Sequence, residues 1–169
     1  AATSVALLGL LSAGQHIVSS NHIYEGTRGL FLDNLIRMGI EVDFVQNTDD
    51  ADEWESLIRP ETRVLFAESL SNARNVVLDV EKIAAIAQRH GIALVVDSTF
   101  ATPYLSRPIE HGADVVIHSA SKFLAGQGAV IGGVIVDSGR FDARRSGEQY
   151  PHLIAPARNG GPSVFERHG

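Results

Sequence analysis

Lys122 stands in the turn Ser119-Ala120-Ser121-Lys122, directly after the apolar run Val115-Val116-Ile117. It is one of only two lysines in a sequence that uses 12 arginines. A primary amine has therefore been placed where a buried strand should end. A partly desolvated lysine can attack a carbonyl and form a Schiff base, which a guanidinium cannot do. The other lysine, Lys82, falls on the polar face of a helical stretch. Taken alone, Lys122 reads as an ordinary solvated loop residue. Its neighbours at other strand ends change that reading.

In open α/β sheets, polar groups just past the carboxyl ends of the strands converge on one crevice. Four segments here end that way. His16–Ser20 leads to Tyr24, and Arg63–Glu68 leads to Ser69, Ser71 and Asn72. Ile92–Val96 ends at Asp97, followed by Ser98 and Thr99, and Asp114–His118 leads to Ser119, Ser121 and Lys122. Each has a plain structural reading: Tyr24 packing on a loop, Asp97 capping a turn, Ser119 and Ser121 forming one, Asn72 holding a left-handed position. Together they match the needs of pyridoxal phosphate. That cofactor requires an amine for its aldehyde and a carboxylate opposite its ring nitrogen. It also needs donors for a dianionic phosphate and a flat surface for the ring.

The elements that must position these groups alternate between helix and strand, which predicts an α/β layer structure. Residues 3–13 read as an apolar helix, 27–38 as a second with Leu30, Phe31, Ile36 and Met38 partly in register, and 50–58 as an acidic third. Asp79 caps a fourth that runs to His90 and stops at Gly91. Strands are predicted at His16–Ser20, Glu41–Val45, Arg63–Glu68, Ile92–Val96, Asp114–His118 and Val130–Val136. The run Ile92–Val96 is continuously apolar, as expected of a strand buried on both faces. No clear helix separates the last two strands, and a parallel pair needs a crossover. Val130–Val136 is therefore predicted to run antiparallel in an otherwise mostly parallel sheet.

Four segments, in this order, resemble the successive motifs of the Cys/Met-metabolism pyridoxal-phosphate enzymes. They are Tyr24-Glu25-Gly26-Thr27, Glu68-Ser69-Leu70-Ser71-Asn72, Val96-Asp97-Ser98-Thr99-Phe100-Ala101-Thr102-Pro103 and His118-Ser119-Ala120-Ser121-Lys122-Phe123. The resemblance runs from residue 1 to about 142 and is densest from Val95 to Asp142. Within the family, Thr102–Pro108 and Gly132–Gly139 are most similar to the branch that acts on O-acylated homoserine with a sulfur nucleophile. Pro162-Ser163 and His168-Gly169 faintly resemble a later segment of that branch.

The resemblance implies an aspartate-aminotransferase-type (fold type I) large domain, with helices on both faces of the sheet. Residues 1–142 would be the cofactor-binding domain, N-terminally incomplete, and residues 143–169 an irregular segment leading to a further C-terminal domain. Lys122 would hold pyridoxal 5'-phosphate as a Schiff base and later move protons. Asp97 would pair with the pyridine nitrogen, with Thr99 steadying it. Tyr24 would stack on the ring and take part in proton transfer, Asn72 would bond the ring oxygen, and Ser119 and Ser121 would bind the phosphate. The implied reaction is γ-replacement on an O-acylated homoserine, giving homocysteine or methionine-type products, with γ-elimination as the alternative outcome. A small-molecule amino acid, a sulfur donor, a dimer of dimers when the protein is complete, and a cytoplasmic site of methionine biosynthesis are the implied context.

The sequence departs from the family pattern in places. Glu25 replaces the first of two glycines and adds a negative charge near an anionic cofactor unless its side chain points outward. Ala73 replaces a proline after Asn72, and Ala125-Gly126-Gln127-Gly128 replaces Gly-Gly-His-Gly after the lysine. The phosphate turn expected before Ala1, the neighbouring subunit's Tyr-x-Arg clamp and the substrate-carboxylate arginine lie outside the sequence.

Composition limits the other readings. A net charge of −6 and the lack of any basic run argue against nucleic acid. No apolar stretch approaches the ~18 residues of a membrane span. There are no cysteines, so thiolate nucleophiles and disulfides are excluded. The seven histidines show no HExxH spacing, and no metal site is expected. His118 reads as a buried or supporting residue. A nucleotide-binding module would use Gly126-Gln127-Gly128 as a phosphate loop, but that segment leads into a strand instead of opening a helix. A non-catalytic fragment that keeps the fold is the third reading.

Overall fold

The computed structural model describes residues 1–72, 74–143 and 149–163. The elements are α1 (Ala2–Leu10), β1 (His16–Ser20), α2 (Glu25–Gly29), β2 (Glu41–Val45), α3 (Ala51–Ser56), β3 (Thr62–Glu68), α4 (Val80–His90), β4 (Ala93–Asp97), α5 (Thr102–Leu105), β5 (Val115–Ser119), β6 (Gly133–Asp137) and α6 (Pro151–Ile154). The strands form one sheet in the order β2-β1-β3-β4-β5-β6. All pairs are parallel except β5 with β6, where Ser119 faces Gly133 and Val115 faces Asp137. The antiparallel strand predicted from the missing crossover is there, starting at Gly133 and not at Val130. The connection before it contains one helical turn, Ala120–Leu124, which is too short to carry the chain back to the other end of the sheet for a parallel pairing.

Strand alternation sends side chains to two cores. Ile17, Val64, Phe66, Ala93, Val95 and Ile117 meet Leu7 and Leu10 of α1 and Phe31 and Leu35 on one face. Val18, Leu65, Ala67, Leu94, Val96 and Val116 meet Trp54 of α3 and Ile83 and Ile86 of α4 on the other. The central strands thus carry apolar residues on both faces, which is why they read as unbroken apolar runs. Asp79 caps α4 as expected, accepting from Lys82 N–H at 3.1 Å, and Gly91 ends it at φ 65°.

The second predicted helix differs in detail. It starts at Glu25, widens into a π-helical stretch over Leu30–Leu35, and tightens to a 3-10 turn at Ile36–Met38. The buried stripe is Thr27, Phe31 and Leu35, while Ile36 and Met38 are exposed. A four-residue spacing kept through the wide turn holds that stripe on the sheet, and the expected register of Ile36 and Met38 gives way to it. At the opposite end of the sheet from the strands' carboxyl termini, the Tyr150 hydroxyl donates to the Arg63 carbonyl and accepts from Ala93 N–H at 3.0 Å. The buried ring pins residues 149–154 to the start of β3 and β4. Among the described residues, no helix is long and apolar enough to cross a membrane.

Candidate active site

Four parallel strands and one antiparallel strand bring five chain segments to one edge. The carboxyl ends of β1, β3, β4 and β5 and the amino end of β6 surround a cavity of about 510 Å³. Tyr24, Asn72, Asp97, Ser119 and Lys122 all line it. Ser121 is not among the lining residues. Its hydroxyl accepts from Gly132 N–H at 3.0 Å and lies 3.2 Å from the Gly132 carbonyl. That pair ties the turn carrying Lys122 to the approach of β6. Within the turn, the backbone leaves helical geometry at Lys122 (φ −100°, ψ −125°), and the lysine is exposed toward the cavity.

Asp97 ends β4 and is partly buried. Burial pushes its pKa above the usual carboxylate range; bonds from the Thr99 backbone and side chain and the nearby His118 act the other way. Thr99 N–H reaches Asp97 Oδ1 at 2.8 Å, and the Thr99 hydroxyl also accepts from Ser119 N–H at 2.7 Å. Thr99 therefore links the carboxylate to the turn that holds the lysine. His118 is buried and donates from Nδ1 to the Ser98 carbonyl at 3.1 Å. A partly buried carboxylate facing a cavity suits a cationic partner from a ligand.

Tyr24 is half-exposed at the cavity's rim. Its ring folds back over Gly26, where any Cβ would collide with the ring edge; this glycine is the one of the family's pair that the sequence keeps. Glu25 points outward: its side chain is 86% exposed and pairs with Arg28 at 3.8 Å. The added charge therefore does not face the cavity. Gly126 and Gly128 adopt φ of 78° and 63°, so their glycines serve the backbone of an exposed loop that does not line the cavity. Ala73, residues 144–148 and His168-Gly169 lie outside the described residues.

Two contributors were not assigned from the sequence. The first turn of α1 (Ala2, Thr3, Ser4) lines the cavity. Gly133 allows this, because a Cβ there would stand 2.6 Å from that of Ala2. Glu68, the last residue of β3, also lines the cavity. Its sequence signals are its place at the head of the Glu68-Ser69-Leu70-Ser71-Asn72 segment and an acid closing an apolar strand beside the one that ends in Asp97.

The family described as "Cys/Met metabolism PLP-dependent enzyme" matches residues 1–157. O-acetyl-L-homoserine sulfhydrylase of Corynebacterium glutamicum is 43% identical over 159 residues, covering 92% of this chain and 36% of the relative. A solved structure from Campylobacter jejuni, described as an O-acetylhomoserine (thiol)-lyase, superposes with a TM-score of 0.89 at 36% identity. It covers 98% of this chain and 41% of that one, and carries an N'-pyridoxyl-lysine-5'-monophosphate. Cystathionine γ-lyase of Lactobacillus plantarum, complexed with L-serine, superposes with a TM-score of 0.73 at 36% identity, covering 83% of this chain and 35% of that one. The chain spans little more than a third of the length of the curated relative it matches.

Proposed function

The chain belongs to the Cys/Met-metabolism PLP-dependent enzymes, and from that premise we propose that it is the cofactor-binding part of a sulfhydrylase acting by γ-replacement on an O-acylated homoserine. The observation that carries the reading is the meeting of an amine, Lys122, and a partly buried carboxylate, Asp97, on one cavity. A cavity of this size suits a small-molecule cofactor, and the donor set fits pyridoxal phosphate. When bound, that group supplies an aldehyde and a protonated ring that stores electrons released at the substrate's α-carbon.

The residues would divide the work by chemistry. The Lys122 amine would hold the cofactor's aldehyde and, once free, would take the substrate's α-proton. The Asp97 carboxylate would keep a proton on the ring nitrogen. Tyr24 would cover one ring face and share in proton transfer. The Asn72 amide would bond the ring oxygen. The Ser119 hydroxyl would bind the phosphate, and Ser121 would join it by exchanging its bond to Gly132. The acyl group leaves the γ-carbon and a sulfur nucleophile takes its place. A dimer of dimers and a cytoplasmic role in methionine biosynthesis belong to the same proposal.

Elimination is the second reading, favoured by the likeness to a γ-lyase. The full-length protein, given O-acetyl-L-homoserine with and without sulfide, distinguishes the two. Homocysteine formed only with sulfide is the expected result. Release of 2-oxobutyrate and ammonia at the same rate with or without sulfide would replace the sulfhydrylase reading by the lyase.

A further inference from the structure

Glu68 is 8% exposed, and its two carboxylate oxygens serve two different segments. Oε1 accepts the Tyr24 N–H at 2.6 Å, and Oε2 accepts the Asn72 N–H at 3.0 Å. Tyr24 lies beyond the end of β1 and Asn72 beyond the end of β3, so both are loop residues, and both line the cavity. We propose that Glu68 is a positioning residue, a carboxylate clamp that fixes Tyr24 and Asn72 relative to each other so that aromatic ring and amide are presented to the cofactor as a pair. The proposal rests on the cofactor reading above for its purpose, but the clamp itself is a property of the unloaded protein.

The chemistry favours a clamp over a space-filling acid. An ionised carboxylate has lone pairs for both N–H groups, and charge-assisted bonds are the strong ones. Holding the charge there is costly. Burial pushes the Glu68 pKa up to about 7, the Asn72 and Tyr24 N–H bonds pull it down, and the Asp97 charge adds to the rise. Asp97 faces it from the adjacent end of β4, paired in register with Glu68, and Lys122 approaches the same cavity from the turn after β5. A fold that needed only to fill this space would do so with less penalty using a neutral side chain. Glutamine matches the shape but not the function: its one oxygen can accept, while its NH₂ would meet the second N–H donor to donor.

The test uses full-length protein without cofactor, as wild type and Glu68→Gln. Amide exchange is followed at Tyr24 and Asn72, with Phe66, buried in the central strand β3, reporting global opening. Glu68→Gln is expected to lower protection about tenfold or more at one of the two loop amides, with Phe66 unchanged. In the wild type, protection at both, corrected for intrinsic exchange, should rise as pH passes upward through about 7, and the variant should be flat. Added pyridoxal phosphate should bind the variant about tenfold more weakly. Equal protection in the two proteins would overturn the clamp. Should the variant also lose Phe66 protection, the wild-type pH profile decides, and a flat one overturns it. A wild type with a working clamp that takes no pyridoxal phosphate would instead sink the cofactor reading.

Discussion

Replacing Lys122 by arginine is expected to leave the fold unchanged and to cut turnover of the full-length enzyme by at least about 10³-fold. Lys122 is exposed, in a turn that buries no side chain, so neither its packing nor its charge holds the domain together. Arginine keeps the charge and much of the length. What it lacks is an amine that can join a carbonyl carbon and, once released, take up a proton. Both proposed tasks fail together, so the loss should be in kcat and should not be rescued by excess substrate. Lys82→Arg is the control. Its ammonium contacts the Asp49 carbonyl at 3.2 Å and Asp79 at 3.7 Å, away from the cavity, and turnover should be unchanged. Parallel kinetics and thermal melts of the two variants check both halves of the expectation.

Asp97→Asn should have the next largest effect. The substitution is isosteric and can keep the Thr99 N–H bond, yet it removes the charge that would hold a proton on a ring nitrogen. Losing an electrostatic group aimed at a reacting centre costs about 10²–10³-fold in rate. The same change has a signature without cofactor. Burial raises the Asp97 pKa above its unfolded value, so the folded state binds this proton more tightly than the unfolded one. The stabilisation from Asp97 is then fully present below its unfolded pKa and lost as pH rises through the folded one. Asp97→Asn lacks that titration, so its stability, measured by denaturant melts, should fall less with rising pH than that of the wild type. A variant with wild-type turnover, or with an unaltered pH–stability profile, contradicts this role for the carboxylate.

Much of the fold was legible because the signals are local. The apolar run at Ile92–Val96 announced a central strand, Asp79 and Gly91 bracketed a helix, and the missing crossover reversed the last strand. The list of cavity residues was also largely legible, because parallel strands place their carboxyl ends on one edge whatever the loops do. What escaped depends on contacts between distant segments. The wide turn at Leu30–Leu35 answers to a sheet face, not to its own propensity. Glu25 turns outward beside Arg28, and the Tyr24 ring lies over Gly26. The twin bonds of Glu68 join residues 44 positions apart on one side and four on the other. The place of α1 at the cavity follows from its packing beside β6, which no local pattern encodes.

The central claim is that Lys122 holds pyridoxal phosphate. The most direct measurement is borohydride reduction of the full-length protein after incubation with the cofactor, followed by peptide mass spectrometry. Within this sequence only Lys82 and Lys122 can take the adduct, so the assignment is unambiguous there. The account predicts a phosphopyridoxyl group on Lys122 and none on Lys82. A folded, cofactor-treated protein with Lys122 unmodified would contradict it.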